Sequence, residues 1–262
     1  MTSSLQRYFN LCVKNLFNNL NDFELLGNEV TIHDLRVEMK KLKAIVKFLK
    51  RIYPKQKFKK ISHLLGSIFQ YAGEIREYQL LLQWLQKHEL PHLIEVYFPE
   101  EKLIEMIDNF RQKAEVYKEE LKEVVEHCSK FIHKTNAILP EQYLVDLRAQ
   151  MDKKIHKDLN INEWHELRKI AKQWIYVSNW NSEEDTKTDP LFPFYNKLQE
   201  TIGSWHDLQL MKESFSQKQI FLSSDLDVHM DFSMAWDKLE LAIRYREKQV
   251  EDMLSRNANE FV

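Results

Sequence analysis

Glycine and proline are scarce in this chain. Its 262 residues include four glycines, at positions 27, 66, 73 and 203, and six prolines. Both residue types are typical of β-turns and glycine-rich loops, so their scarcity beside long stretches rich in Leu, Lys and Glu predicts an all-α protein. Neither G-x-G-x-x-G nor G-x-x-x-x-G-K-[ST] can be written with these glycines, which excludes the usual dinucleotide and phosphate-loop motifs.

Cysteines and long apolar runs are also few or absent. The two cysteines, Cys12 and Cys128, match no disulfide framework or zinc-site spacing, which indicates a reducing compartment. No stretch reaches the ~18 apolar residues of a membrane span, and the N-terminus has no signal-peptide apolar region. These absences predict a cytoplasmic protein that is not inserted in a membrane.

Charge is nearly balanced over the whole chain. The formal net charge is -2, so any strongly basic site has to be local. Hydrophobic residues make up 44% and charged residues 30%, which is typical of a folded domain with a packed core. Residues 95–126 contain ten acids and five bases, which predicts a solvated outer surface for that stretch.

Apolar periodicity and end signals predict a series of helices. They span 5–20, 31–52, 56–88, 99–134, 141–158, 162–178, 191–216 and 230–257, with a loop at 181–190. Thr31 is the predicted N-cap of the second helix, and the third helix is predicted to break near Gly66 or Gly73.

Two short motifs recur at nearly the same separation. "HDLR" begins at His33 and "HELR" at His165, while "GEIREYQLL" begins at Gly73 and "GSWHDLQLM" at Gly203. Two motifs repeated at about half the chain length predict a duplicated helical unit. The first repeat is placed at 1–130 and the second at 131–262.

The segment "HDLRVEMKKLKAIVKFLK", residues 33–50, places its bases on one side of a helix. At about 100° per residue, six side chains share an arc of roughly 100°: His33, Arg36, Lys40, Lys43, Lys47 and Lys50. Asp34, Glu38 and Lys41 form a second polar strip, which we expect to face solvent. The basic strip is expected to line a groove, pore or seam, because bases held together repel unless an anion compensates them.

The second copy shows the same pattern. Arg168 and Lys172 share the arc of His165, and Tyr176 lies at its edge. An ordinary solvated basic face with a hydrogen-bonded histidine is the alternative for one helix. The recurrence of the pattern favours an anion-binding site.

These segments resemble the CHAD family, the conserved-histidine α-helical domain. "HDLRVEMKKLK" at 33–43 and "HELRKIAKQWIY" at 165–176 are similar to its two signature helices. "GEIREYQ" at 73–79 resembles its G-x-x-R-[DE] element, and "LQETIGSWHDLQ" at 198–209 resembles its L-Q-x-x-[IL]-G-x-x-x-D element. The four motifs occur in the family's order and span nearly the whole chain.

The resemblance implies a single domain over 1–262, with two pseudo-symmetric four-helix-bundle repeats around a basic central pore. That pore would bind inorganic polyphosphate, without enzymatic activity, cofactor or metal, and the protein could associate with polyphosphate granules. Some members are fused to a triphosphatase-type tunnel domain with an E-x-E-x-K motif. No Glu in this sequence has another Glu two positions away, so we expect a stand-alone copy.

The resemblance also implies a polyphosphate-binding set drawn from both repeats. It consists of His33, Arg36, Lys40, Lys43, Arg76, His165, Arg168, Lys172 and Tyr176, and the basic arc of residues 33–50 adds Lys47 to the predicted site. The family has an arginine where this chain has Ile175, and several family arginines are lysines here, which lack the bidentate fork. We expect Arg36→Ala and Arg168→Ala to weaken binding without loss of stability, and Lys41→Ala to do little.

Other functions stay open at this point. A nucleic-acid or nucleotide-binding module could use the same bases, although the basic strip of 33–50 has no aromatic side chain for stacking. A scaffold that recruits polyphosphate-processing enzymes is a further alternative. "HELPH" at 88–92 matches the zincin pattern H-E-x-x-H, but Pro91 is expected to end the helix within it, so no metal site is predicted.

Overall fold

The computed structural model describes residues 3–136, 138–155, 159–180, 190–218 and 224–260. In these ranges the chain forms ten helices and no strand, which confirms the predicted all-α class. The helices are α1 (Ser4–Leu26), α2 (Glu29–Ile52), α3 (Phe58–Lys87), α4 (Pro91–Tyr97), α5 (Glu100–Gln112), α6 (Ala114–Ile132), α7 (Ile138–Ile155), α8 (Ile161–Ser178), α9 (Phe192–Gln217) and α10 (Leu226–Glu260). None of the helices in these ranges combines the length and apolar character that crossing a membrane requires.

Three details of the helix predictions are wrong. Asn28, not Thr31, caps α2, because the Asn28 side chain accepts a hydrogen bond from the backbone N of Thr31 at 3.0 Å. α3 continues through Gly66 and Gly73 without a break. The predicted helix at 99–134 is divided into α5 and α6 at Lys113. The predicted loop at 181–190 lies, except for its last residue, outside the described residues.

The chain divides into two compact units whose segments alternate along the sequence. Unit 1 comprises Met1–Arg76, Met106–Ala149 and Gln173–Phe192, and unit 2 comprises Glu77–Glu105, Gln150–Lys172 and Pro193–Val262. The sequence repeats at 1–130 and 131–262 are a different division of the chain. Their pseudo-symmetric arrangement around a pore stays a prediction.

The core of unit 1 forms where α1 packs against α2 and α6. The buried apolar residues of α1 recur every three or four positions, as expected of a helix with one apolar face: Leu5, Phe9, Cys12, Leu16, Leu20 and Phe23. Phe23 meets Phe110 edge to face, with ring centroids 5.1 Å apart. Cys12 and Cys128 are free and buried, and burial raises the pKa of the Cys128 thiol to about 12. This packing fixes one side of α2, which carries the first basic strip.

The core of unit 2 joins the C-terminal part of α3 to α4, α9 and α10. Its buried cluster consists of Leu81, Leu82, Leu85, Leu90, Leu93, Phe98, Phe215, Val228, Ala235 and Leu239. The backbone N–H of His92, near the start of α4, donates to Oδ2 of the buried Asp231 on α10 at 3.0 Å. This core anchors the C-terminal part of α9, the helix whose middle carries Gly203.

Candidate anion-binding site

The basic strip on α2 is partly sheltered from solvent. Arg36, Lys40 and Lys43 are half-buried, whereas His33 and Lys47 are exposed. All five belong to unit 1 and lie on the side of α2 that the helical period predicted. Sheltered bases at this spacing repel one another more strongly than bases in open water.

The Arg36 guanidinium is fixed against α3. Its Nη1 donates to the carbonyl oxygen of Phe69 at 3.2 Å, and its Cζ lies 4.5 Å from the centroid of the Phe69 ring. The same Nη1 occupies the space that a Cβ would take at the buried Gly73. Glycine at this position therefore allows the close approach of the guanidinium to α3. The contacts revise the expectation for Arg36→Ala, since that variant loses a charge-assisted hydrogen bond and should lose stability.

Lys43 is held beside Arg36. Its Nζ lies 4.1 Å from the centroid of the same Phe69 ring, at cation–π distance. Burial, followed by the charge of Arg36, lowers the pKa of Lys43. The charged form of Lys43 is therefore less favourable than in water, and a bound anion would offset that loss.

His33 lies near Arg76 of α3. Arg76 Nη1 donates to Oε1 of Glu29 at 2.5 Å, so an acid already compensates this guanidinium. Although His33 is exposed as a whole residue, partial burial of its titrating group and then the charges of Arg76 and Lys40 lower its pKa. In the free protein His33 is therefore mostly neutral near pH 7, among permanent cations.

Unit 2 shows the same relationship between α8 and α9. His165, Arg168 and Lys172 are half-buried along α8. The Arg168 guanidinium lies against the buried Gly203, where a Cβ would come within 3.2 Å of Nη2 and 3.3 Å of Nε. In both units, the arginine of the repeated motif thus lies against the repeated glycine of the following helix.

His206 is a candidate that the motifs did not indicate. It follows Gly203 by three positions, as Arg76 follows Gly73. Its ring contacts His165 edge to face, with centroids 4.8 Å apart. Aligning the two repeats pairs His206 with Arg76 and could have identified it. The family element around Gly203 allows any residue at position 206, so the motif alone does not.

The last four residues of the second motif, 173–176, belong to unit 1 with Tyr176, whereas residues 165–172 belong to unit 2. Tyr176 is half-buried and contributes to the raised pKa of Tyr8 on α1, for which burial is the largest cause. Ile175, which replaces an arginine of the family pattern, is 9% exposed. Its burial explains why an apolar residue suits this position.

The second polar strip of α2 is only partly solvated: Asp34 is exposed as predicted, but Glu38 is buried and Lys41 is half-buried. Glu38 is 6% exposed and accepts a hydrogen bond from Lys41 Nζ at 2.6 Å. α1 covers this side of α2, where Cys12 Sγ lies 3.5 Å from the backbone oxygen of Glu38. Lys41 is thus the partner of a buried acid and is not a neutral control for binding experiments.

The "HELPH" segment does not form a zincin helix. α3 ends at Lys87 and α4 begins at Pro91, which confirms that the motif spans a helix end. His88 Nδ1 lies 2.8 Å from the backbone oxygen of Trp84, and His92 Nδ1 lies 3.3 Å from Asp231 Oδ2. Among the described residues, no group of three or more His, Cys, Asp or Glu side chains could hold a metal ion.

The described residues form an all-α fold, and the two motif-bearing helices, α2 and α8, each carry a cluster of bases. The protein is therefore a helical protein with local cationic surfaces. The sequence model of the CHAD domain matches residues 7–215, so the chain belongs to the CHAD domain family. The crystal structure of the CHAD domain from the plant Ricinus communis is similar, with a TM-score of 0.66 and 16% sequence identity over 94% of this chain and 89% of that chain. At this identity the likeness concerns the fold. No curated protein matches the chain.

Proposed function

We propose that the chain binds inorganic polyphosphate without catalysing a reaction on it. The binding residues are the bases of the two motif-bearing helices, with Arg76 and Tyr176: His33, Arg36, Lys40, Lys43, Lys47, Arg76, His165, Arg168, Lys172 and Tyr176. The proposal is carried by the arginine–glycine contacts in the two units, because each fixes a guanidinium among other bases. A chain of phosphates supplies the matching array of negative charges.

Mutual repulsion among the bases supports an anionic ligand. The pKa values of His33 and His165 are lowered by burial first and then by neighbouring cations, and the pKa of Lys43 is lowered by burial and Arg36. Sheltered cations cost free energy unless an anion compensates them. Polyphosphate carries about one negative charge per phosphate, and its neutralisation by Lys and Arg releases counterions, as with nucleic acids.

The surroundings of Phe69 favour a polyphosphate over a nucleic acid. Single-stranded nucleic acids are held largely by bases stacked on open aromatic faces. Here Arg36 and Lys43 both lie over the Phe69 ring, the aromatic side chain next to the strip. Because the two cations cover the ring, its face is not open for a nucleobase to stack on, whereas the cations can bind phosphate oxygens.

A competition experiment tests the proposal. Binding of long-chain polyphosphate, pyrophosphate and single-stranded DNA is measured at matched total charge and fixed salt. We expect the tightest binding for long-chain polyphosphate, and weak binding for pyrophosphate because two phosphates reach few of the bases. Tighter binding of DNA would reject the proposal in favour of a nucleic-acid module.

Three lysine substitutions test whether polyphosphate binds to the motif-bearing helices. Lys40→Ala with Lys172→Ala should weaken polyphosphate binding, because each removes a base of one motif-bearing helix. Lys122→Ala is the control, since Lys122 is an exposed lysine of α6 paired with Glu119. Equal losses from the double variant and the control would indicate diffuse surface attraction.

A further inference from the structure

The repeat places an arginine and a histidine at equivalent positions. Arg76 and His206 each follow the repeated glycine of their helix by three residues. Each also neighbours the motif histidine of its own unit: Arg76 is the charged group that most lowers the pKa of His33, and the His206 ring lies 4.8 Å from that of His165. The first position carries a permanent cation, and the second carries a group that can gain or lose a charge near neutral pH.

Cations dominate the surroundings of His206. From α8 they are Arg168, Lys169 and Lys172, with the titratable ring of His165, and on α9 the adjacent Asp207 opposes them. Burial is the largest cause that lowers the pKa of His206, followed by Arg168. His165 is affected in the same direction, by burial and then by Lys169 and His206.

Two acids of the described residues near this cluster are engaged by other side chains. Trp205 lies beside it on α9, with ring centroids 6.4 Å apart, and donates its indole N–H to Glu247 of α10 at 3.2 Å. Lys169 is held by Glu166 at 2.9 Å on the exposed side of α8. In the free protein, therefore, the two contacting rings of His165 and His206 are both mostly neutral near pH 7.

We infer that His206 is an anion-binding residue of unit 2, equivalent to Arg76, and that it becomes charged by taking up a proton when polyphosphate binds. The inference rests on the proposed function. Phosphate oxygens beside the ring favour the imidazolium, which donates from both nitrogens. At the position three residues after the repeated glycine, unit 1 thus has a fixed charge and unit 2 a proton-linked charge. Polyphosphate binding should therefore strengthen as the pH falls from 8 to 6.

The test compares wild type, His206→Gln and His206→Arg in binding long-chain polyphosphate at pH 6 and pH 8. Wild type should bind more tightly at pH 6. His206→Arg restores the residue of the first repeat, and we expect roughly ten-fold tighter binding at pH 8 with little change at pH 6. His206→Gln should weaken binding at pH 6 and leave it nearly unchanged at pH 8. His229→Arg, at an exposed position of α10, adds the same charge elsewhere and should reproduce neither effect.

Calorimetry in two buffers of different ionisation enthalpy supplies a second readout, since it counts the protons taken up on binding. Wild type should take up more protons than either His206 variant. If wild type binds and the His206 variants keep its proton uptake and its pH dependence, the inference is overturned while the proposed function stands. If wild type binds polyphosphate at neither pH, the proposed function fails and the inference fails with it.

Discussion

The Arg36 guanidinium lies over Gly73, so that any side chain at that position would overlap its Nη1 atom. Two turns earlier on the same helix, Gly66 has no neighbour within 4 Å of the point that a Cβ would occupy. Two glycines of α3 therefore differ in one respect that can be measured, the space available for a methyl group.

The first prediction compares alanine at these two glycines. Alanine is favoured over glycine by about 1 kcal/mol in a helix interior, so Gly66→Ala should raise the free energy of unfolding by about that amount. Gly73→Ala gains the same propensity but displaces Arg36 from the Phe69 carbonyl, which costs about 1.5 kcal/mol. Denaturant unfolding should therefore show little or no gain for Gly73→Ala.

A double-mutant cycle isolates the contact. In an Arg36→Ala background the obstruction is gone, so Gly73→Ala should stabilise the protein as much as Gly66→Ala does. Equal stabilisation by the two substitutions in the wild-type background would show that Arg36 does not occupy the space above Gly73.

The second prediction concerns two lysine–glutamate pairs of the same geometry. Lys41–Glu38 and Lys122–Glu119 both have i,i+3 spacing and N–O distances of 2.6 Å, but the Glu38 side chain is 8% exposed and that of Glu119 is 70% exposed. Lys41→Ala should lower the free energy of unfolding by about 2 kcal/mol, because it leaves a buried carboxylate without its partner. Lys122→Ala should change it little. Similar values for both variants in denaturant melts would show that Glu38 is solvated.

The third prediction is a loss of stability in mild acid without ligand. Burial lowers the pKa values of His33, His127, His165 and His206, with neighbouring cations acting in the same direction. Below about pH 6.5 the unfolded chain therefore binds more protons than the folded one. Stability should be fully present above that pH and fall as the pH drops through the folded-state values.

Thermal unfolding between pH 8 and pH 5.5 measures this effect. Carboxylates with lowered pKa values, such as Glu166, act in the same direction but only below about pH 4.5, so the two windows are separate. His165→Asn with His206→Gln, at two half-buried positions, should flatten the dependence, whereas Ser204→Ala, at an exposed and non-titrating position of α9, should not. Stability that rises as the pH falls through this range would contradict the neutral state of these histidines.

The basic strip of α2 could be predicted from helical geometry, because a 100° advance per residue places His33, Arg36 and Lys43 on one side in any straight helix. The burial of Glu38 could not be predicted from helical geometry. Its strip looks as polar as the other on a wheel, and only the packing of α1 against α2 decides which one is covered.

The predicted break of the third helix near Gly66 or Gly73 was wrong for a related reason. A glycine within a helical pattern signals a break when nothing else is known. Gly73 instead accommodates a side chain from a different helix, a contact 37 positions away that local propensity does not contain. The repeat alignment did hold the information for His206, since Gly203 and Gly73 align and the third residue after each faces its motif histidine.

The most direct test of the central claim is the salt dependence of polyphosphate affinity. If the bases of α2 and α8 hold the polyanion, the logarithm of the association constant should fall linearly and steeply with the logarithm of salt concentration. Lys40→Ala and Lys172→Ala should each reduce the slope by about one, and together by about two, while Lys122→Ala should leave it unchanged. A slope that is shallow in wild type, or that changes as much in Lys122→Ala as in the other variants, would contradict binding through the motif-bearing helices.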